Sequence, residues 1–314
     1  MDVDNFNDVK PVIISSVIVL NVIMNSLVTA AIARYPALRE DRTALFMFTL
    51  CVSDLAGGCT AMPISAALCS RVTPTVRTYV AYLPKIQMFC YWFFGFNSMH
   101  SMGWVALSKM IAIATPFRYE QLLTRNRCYG IIFFNWVVGA ALAAVKLPLL
   151  TSWNTVMCTF RSPPNNKQAS LLIFSTYILV FVVPAITLII ATGFMFVVVL
   201  RTHKLINTQV QSIGGSSGGA VSAGLVTVQS IRSAKNIFII CLVSIALNMP
   251  LLTFAVIRHV INNQRITDAF SFSAMWLFSC NAFMNSFLYI VLHRSVRIKL
   301  ARMFTEMRAV LRRD

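Results

Sequence analysis

The chain has 314 residues, 57% of them hydrophobic and only 12% charged. Soluble domains carry about 25% charged residues, so a water-soluble globule is excluded. The formal net charge is +17, but the basic residues cluster between long apolar runs, and no aromatic-interleaved basic patch supports nucleic-acid binding.

Met1 to Lys10 is short and acidic and lacks the basic start and small-residue cleavage site of a signal peptide. The first apolar run is therefore expected to be a retained span. Crossing a bilayer takes about 20 mainly apolar residues. Seven runs qualify: Val12–Ala33, Ala44–Leu68, Ala81–Ala114, Tyr129–Leu150, Ser170–Leu200, Asn236–Ile257 and Ala269–Leu292. Helices are expected because hydrocarbon satisfies no backbone polar group. The runs are too long and too evenly apolar for barrel strands, which alternate. The third and fifth are long enough to tilt or to extend past the bilayer. Between spans five and six, Ile213–Gly224 is a Gly/Ser linker. After span seven, His293–Met307 reads as a basic amphipathic helix lying on the membrane.

The predicted fold is an all-α membrane protein, a seven-transmembrane helix bundle with a short amphipathic helix after span seven. It divides into an N-terminal segment (1–11), a seven-transmembrane domain (12–292) and a helix-and-tail segment (293–314). Lys and Arg counts orient it. One set of flanks, including the tail, holds eighteen, and the other holds nine. The richer side is expected to be cytoplasmic, with the N-terminus outside. No CxxC or Cys/His metal spacing occurs among the eight cysteines.

Polar residues inside apolar helices are costly and point to function. Here they form a set: Asn25 in span one, Asp54 in span two, Ser98 in span three, Asn281 and Asn285 in span seven. Asp54 is the only acid in the interior of any span. A lone buried carboxylate must be neutralised by a proton, a cation or hydrogen bonds.

The same residues carry a resemblance. Asn25, Leu50-x-x-x-Asp54 with Pro63, Ala106–Ile113 followed by Pro116 and Tyr119, Trp136, Pro184, Pro250 and Asn285-Ser286-Phe287-Leu288-Tyr289 occur in order, one set per span. Together they resemble the rhodopsin-like (class A) G-protein-coupled receptors over nearly the whole chain. The resemblance implies a plasma-membrane receptor whose Asp54, Ser98, Asn281 and Asn285 line a sodium pocket. The competing expectation is a polar network that only joins helices. Apart from that Na+, no cofactor is implied. The implied partners are a heterotrimeric G protein, a small ligand, membrane lipids and a second receptor copy as homo- or hetero-dimer.

The chain departs from the family at several motifs. The usual Asp-Arg-Tyr looks like Ser108-Lys109-Met110, and lysine lacks the planar fork of arginine. The acidic partner expected on span six looks like Ser230. Two restraints on the resting state are thus expected to be weakened, which leaves open raised basal signalling or poor coupling. The span-six tryptophan is replaced by Asn248 and the phenylalanine by Ser244, while Pro250 keeps the hinge. Asn248 is a candidate to extend the network from Asn281. Thr192 stands for the span-five tyrosine and Ser286 for the span-seven proline. The expected coupling surface is Ser108, Lys109, Met110, Tyr289, Arg118 and Lys235, with Arg125, Arg127 and Arg232 around it.

By resemblance, ligands bind among Tyr91, Trp92, Gly95, Thr176, Asn248, Leu251, Ala255, Met275 and Ser279. Tyr91 stands where amine receptors place an aspartate, and Ser279 where opsins place the retinal lysine. A monoamine held by an ion pair and retinal are both disfavoured. An aromatic, apolar lining with hydroxyls suits a neutral or lipid-like ligand. Lys146 is expected to snorkel to the outer interface. Pro84 occupies the family's cysteine position at the top of span three, so Cys158 has two candidate disulfide partners, Cys90 or Cys69. The alternative to a signalling receptor is a non-signalling decoy or dimer partner. Transporter and enzyme readings lack support: there is no internal repeat and no nucleophile–base pair, and His100 is the one histidine deep in a span.

Overall fold

In the computed structural model, the described residues are 3–69, 82–149, 152–154, 159–161, 172, 175–176, 178–212, 235–253 and 264–312. The first span is a helix over Val3–Arg34, so helix begins well before the apolar run does. The second span is two helices, Arg42–Cys59 and Ala61–Cys69. Pro63 has no amide to donate to the Cys59 carbonyl, and the chain breaks at Thr60, whose hydroxyl donates to the Ala56 carbonyl at 2.6 Å. The third span is Leu83–Ala114 and the fourth Arg125–Lys146. The fifth is helical at Leu172, Ser175 and Thr176, has a π-helical turn over Ile178–Val182, and continues as Val183–Ser212. Pro184 sits just after that turn, where a missing amide and a wide turn produce the same local bend. The sixth covers Lys235–Thr253 and the seventh Gln264–Leu292. A last helix, Arg294–Leu311, runs past the expected end at Met307 and packs Val296 and Leu300 inward. Two three-residue strands, β1 (Ser152–Asn154) and β2 (Thr159–Arg161), pair antiparallel after span four.

Among the described residues, six helices are long and apolar enough to cross a membrane by themselves. The third span is the one that falls short. It packs on the second, fourth and fifth spans, and it buries Gln87, Asn97, Ser98, Ser101 and Ser108 there. A central helix faces protein on most sides, so it needs less apolar surface than its neighbours.

Three apolar clusters hold the bundle. The largest fills the half that ends at Lys109, Arg118 and the last helix, called the inner half below. It includes Phe46, Leu50, Met102, Leu188, Ile240 and Tyr289. Two smaller clusters fill the other half: Phe96, Val180, Phe181 and Leu251 between spans three, five and six, and Ile14, Met62, Phe272 and Trp276 between spans one, two and seven.

Candidate functional site

The polar set does converge, with members the sequence reading did not include. Asn25 donates its amide to the Asn21 backbone carbonyl at 3.0 Å, to the Asn21 side-chain oxygen, and to the Ala282 carbonyl on span seven at 3.1 Å. Its own oxygen accepts from Ser286 at 2.6 Å, and Ser286 also meets the Cys51 thiol at 3.2 Å. Asn21 in turn donates to the Asp54 carbonyl at 2.8 Å. The residue in place of the family's proline therefore ties span seven to spans one and two. Gly58 makes room for it: a Cβ there would strike the Asn21 amide. Asn21 lies one turn before Asn25 on the same face, which is the signal that could have found it.

Asp54 is 6% exposed. It lies in the wall of a cavity with Ser98, Asn281, Ser53, Tyr91 and Ser279. The cavity offers about 40 Å³ to the centres of water-sized molecules, and roughly 10–15 Å³ on that measure holds one water. Asp54 Oδ2 and Asn281 Oδ1 have no hydrogen-bond partner among the described residues. The Ser98 hydroxyl lies against the Asp54 carboxyl. These are hard oxygen donors of the kind that bind alkali and alkaline-earth cations. Asn285 is buried, but it is not in the cavity wall.

The outer candidates split. Tyr91, Gly95 and Ser279 share the wall with Asp54, so the sodium-pocket and ligand-pocket candidates meet in one space. Trp92 joins the Phe181 cluster edge-on, with ring centroids 6.1 Å apart, and Leu251 is buried in the same cluster. Met275 and Thr176 are also buried, Thr176 donating to the Leu172 carbonyl at 2.8 Å. Ala255 and Cys158 lie outside the described residues.

Three expectations are corrected. Lys146 does not snorkel: it is 1% exposed, and its ammonium sits over the Trp92 ring, 2.7 Å from the centroid. A cation over an indole face is attracted by the ring quadrupole, which offsets the cost of turning inward. Cys90 carries a free thiol in the cavity wall beside Tyr91, so the Cys90–Cys158 pairing is not made. Asn248 does not reach Asn281: its amide donates to the Ser244 carbonyl of its own helix at 2.6 Å, the usual back-bonding of a polar side chain in a helix.

At the inner face, Lys109 is not unrestrained. Its ammonium meets Asp41 Oδ2 at 2.9 Å, with Lys109 15% and Asp41 46% exposed. The other oxygen of Asp41 accepts from the Thr43 amide at 2.9 Å and caps span two. Asp before a helix is a capping signal, so the acid was visible in the sequence, though its pairing with Lys109 was not. Burial raises the Asp41 pKa, but the charge and hydrogen bond of Lys109 and the Thr43 amide more than offset it, and the net shift is downward. Ser108 links Thr43 at 3.0 Å and Tyr119 at 2.9 Å. Tyr289 is buried and its ring lies 4.3 Å from that of His293. Burial first, and the charge of Lys109 second, push the His293 imidazole down to about 4. Met110 packs on the inner core, while Arg118 and Lys235 are exposed. Asn236 donates to the Leu292 carbonyl at 2.7 Å and ties the inner end of span six to span seven.

Comparison with known proteins agrees with this architecture. The family described as "7 transmembrane receptor (rhodopsin family)" matches residues 24–289. The histamine H2 receptor of Cavia porcellus is 24% identical over 312 residues, covering 97% of this chain and 81% of the relative. The human histamine H2 receptor is 23% identical over 313 residues, covering 93% and 78%. The Drosophila melanogaster protein trapped in endoderm-1 is 24% identical over 206 residues, covering 63% and 51%. The chain is a multi-pass membrane protein and a receptor rather than an enzyme: it belongs to the rhodopsin family of seven-transmembrane receptors.

Proposed function

We propose that the chain couples a small, non-amine ligand to a heterotrimeric G protein, with a sodium ion at Asp54 favouring the resting arrangement. The observation that carries this reading is the single cavity that joins Asp54, Ser98 and Asn281 to Tyr91, Gly95 and Ser279. A cation held by the first three and a ligand touching the last three compete for one space, so each shifts the population that the other favours. The relatives named for histamine do not make this chain an amine receptor, because Tyr91 puts a phenol where an ion pair to an amine would need a carboxylate. The orientation proposed places the Lys109 face in the cytoplasm of the cell, where Lys109, Arg118 and Lys235 meet the G protein.

The test is thermal unfolding of the purified receptor in sodium against choline chloride. A rise of several degrees in sodium that vanishes in Asp54→Asn supports the site. An equal rise in both proteins, or none in either, overturns it. A second reading, a non-signalling dimer partner, is favoured by Asn248 and Ser244, which stand in place of the family's tryptophan and phenylalanine and bond within their own turn. Guanine-nucleotide exchange above background in reconstituted membranes excludes it.

A further inference from the structure

A second site lies on the bilayer face of the bundle, in the inner half of the groove between spans three and four. The groove has a volume of about 550 Å³ and is lined by His100, Trp104, Arg127, Ile131, Phe134 and Asn135. On span four, positions 127, 131, 134 and 135 recur at helical spacing and so share one face. Gly130 opens the floor, since nothing lies within 4 Å of where its Cβ would stand. Phe133 and Phe134 are exposed there, as lipid-facing residues are.

Two residues do not suit a surface that meets only acyl chains. Asn135 is 7% exposed and lines the groove. His100 meets the Phe96 carbonyl through Nδ1 at 3.0 Å. That bond places the proton on Nδ1 and leaves Nε2 as an acceptor. Hydrocarbon satisfies neither group. Eight residues below Asn135 on the same helix, roughly 12 Å at 1.5 Å each, stands Arg127. Its guanidinium donates to the Gln121 and Leu122 carbonyls through one nitrogen, which leaves other N–H groups for an anion.

We infer that this groove binds a fatty acid oxygenated in mid-chain. The carboxylate accepts from Arg127 at the membrane surface, the chain lies on Trp104, Ile131 and Phe134, and the mid-chain hydroxyl donates to His100 Nε2 while accepting from Asn135. Charge complementarity selects the acid, and the depth of the His100–Asn135 pair selects the position of the hydroxyl. A sterol offers no anion to Arg127, and an unsubstituted chain would cover both polar groups with methylenes.

The test is binding of radiolabelled ricinoleate to the full-length receptor in phosphatidylcholine nanodiscs, with oleate, ricinoleate methyl ester and cholesterol as competitors. The expected result is saturable binding, displaced roughly tenfold less well by oleate, the worth of one or two buried hydrogen bonds. Asn135→Leu should erase that preference and keep oleate-level binding, and Gly130→Leu should block both. Equal displacement by oleate, better displacement by cholesterol or the methyl ester, or unchanged binding in Gly130→Leu overturns the assignment.

Discussion

The seam between spans one, two and seven and the middle of span six handle buried polar groups in opposite ways. In the seam, Asn21, Asn25 and Ser286 bond across helices, to Asp54, Ala282 and each other. In span six, Asn248 and Ser244 bond within their own turn, and Asn236 at the inner end bonds to the Leu292 carbonyl of span seven. Cross-helix bonds make spans one, two and seven move as one body. Apolar packing of Ile237 and Ile240 also holds span six, and such packing resists separation more than sliding. Among the described residues, the helix that carries Pro250 is thus tied less by directional bonds than the seam is, and a receptor that switches by helix displacement needs such an asymmetry.

Breaking the seam should have the largest effect. Gly58→Val drives a side chain into the Asn21 amide and is expected to cost about 2–3 kcal/mol, as overpacking does, read as a fall in the thermal midpoint of the purified receptor. Next comes acid. His293 is neutral when folded, with its pKa near 4, and titrates at the ordinary value of 6.5 when unfolded. Below the unfolded value the unfolded state takes up a proton that the folded state does not, so stability falls as pH drops from about 6.5 toward 4. His293→Gln should flatten the midpoint over that window while leaving the seam intact.

Asp41→Asn releases Lys109. A half-exposed pair contributes about 1 kcal/mol or less, so basal nucleotide exchange should rise up to fivefold at matched surface expression; no rise would show that the pair does not restrain the resting state. The smallest effect belongs to Asn248→Ala. It removes a bond inside one turn and should cost about 0.5 kcal/mol, the low end for a hydrogen bond, read from the thermal midpoint. A shift as large as that of Gly58→Val would erase the contrast between the two regions.

The sequence disclosed the helices because bilayer thickness sets a length that hydropathy can count. It also singled out Asn25, Asp54, Ser98 and Asn281, because a polar side chain inside an apolar run is costly, but it left open whether they hold an ion or only join helices, as Asn25 does. It named Ser286 as a departure but not its partners Asn25 and Cys51, and it did not single out Asn236, because only the packing shows which face such residues take. Lys146 went astray for a different reason. Snorkelling is the default for a lysine near a helix end, and the indole that reverses it lies on another helix. The Lys109–Asp41 pair spans 68 positions, and no local pattern joins such distant residues.

The modest hydropathy of the third span has a consequence for biogenesis. A helix that carries Gln87, Asn97 and Ser108 on its buried face exposes those groups to hydrocarbon until neighbouring helices cover them. Its entry depends on company: spans two and four must be at hand to cover its polar face as it leaves the translocon. The helix at the centre of the finished bundle is therefore the one whose polar face most needs its neighbours in place.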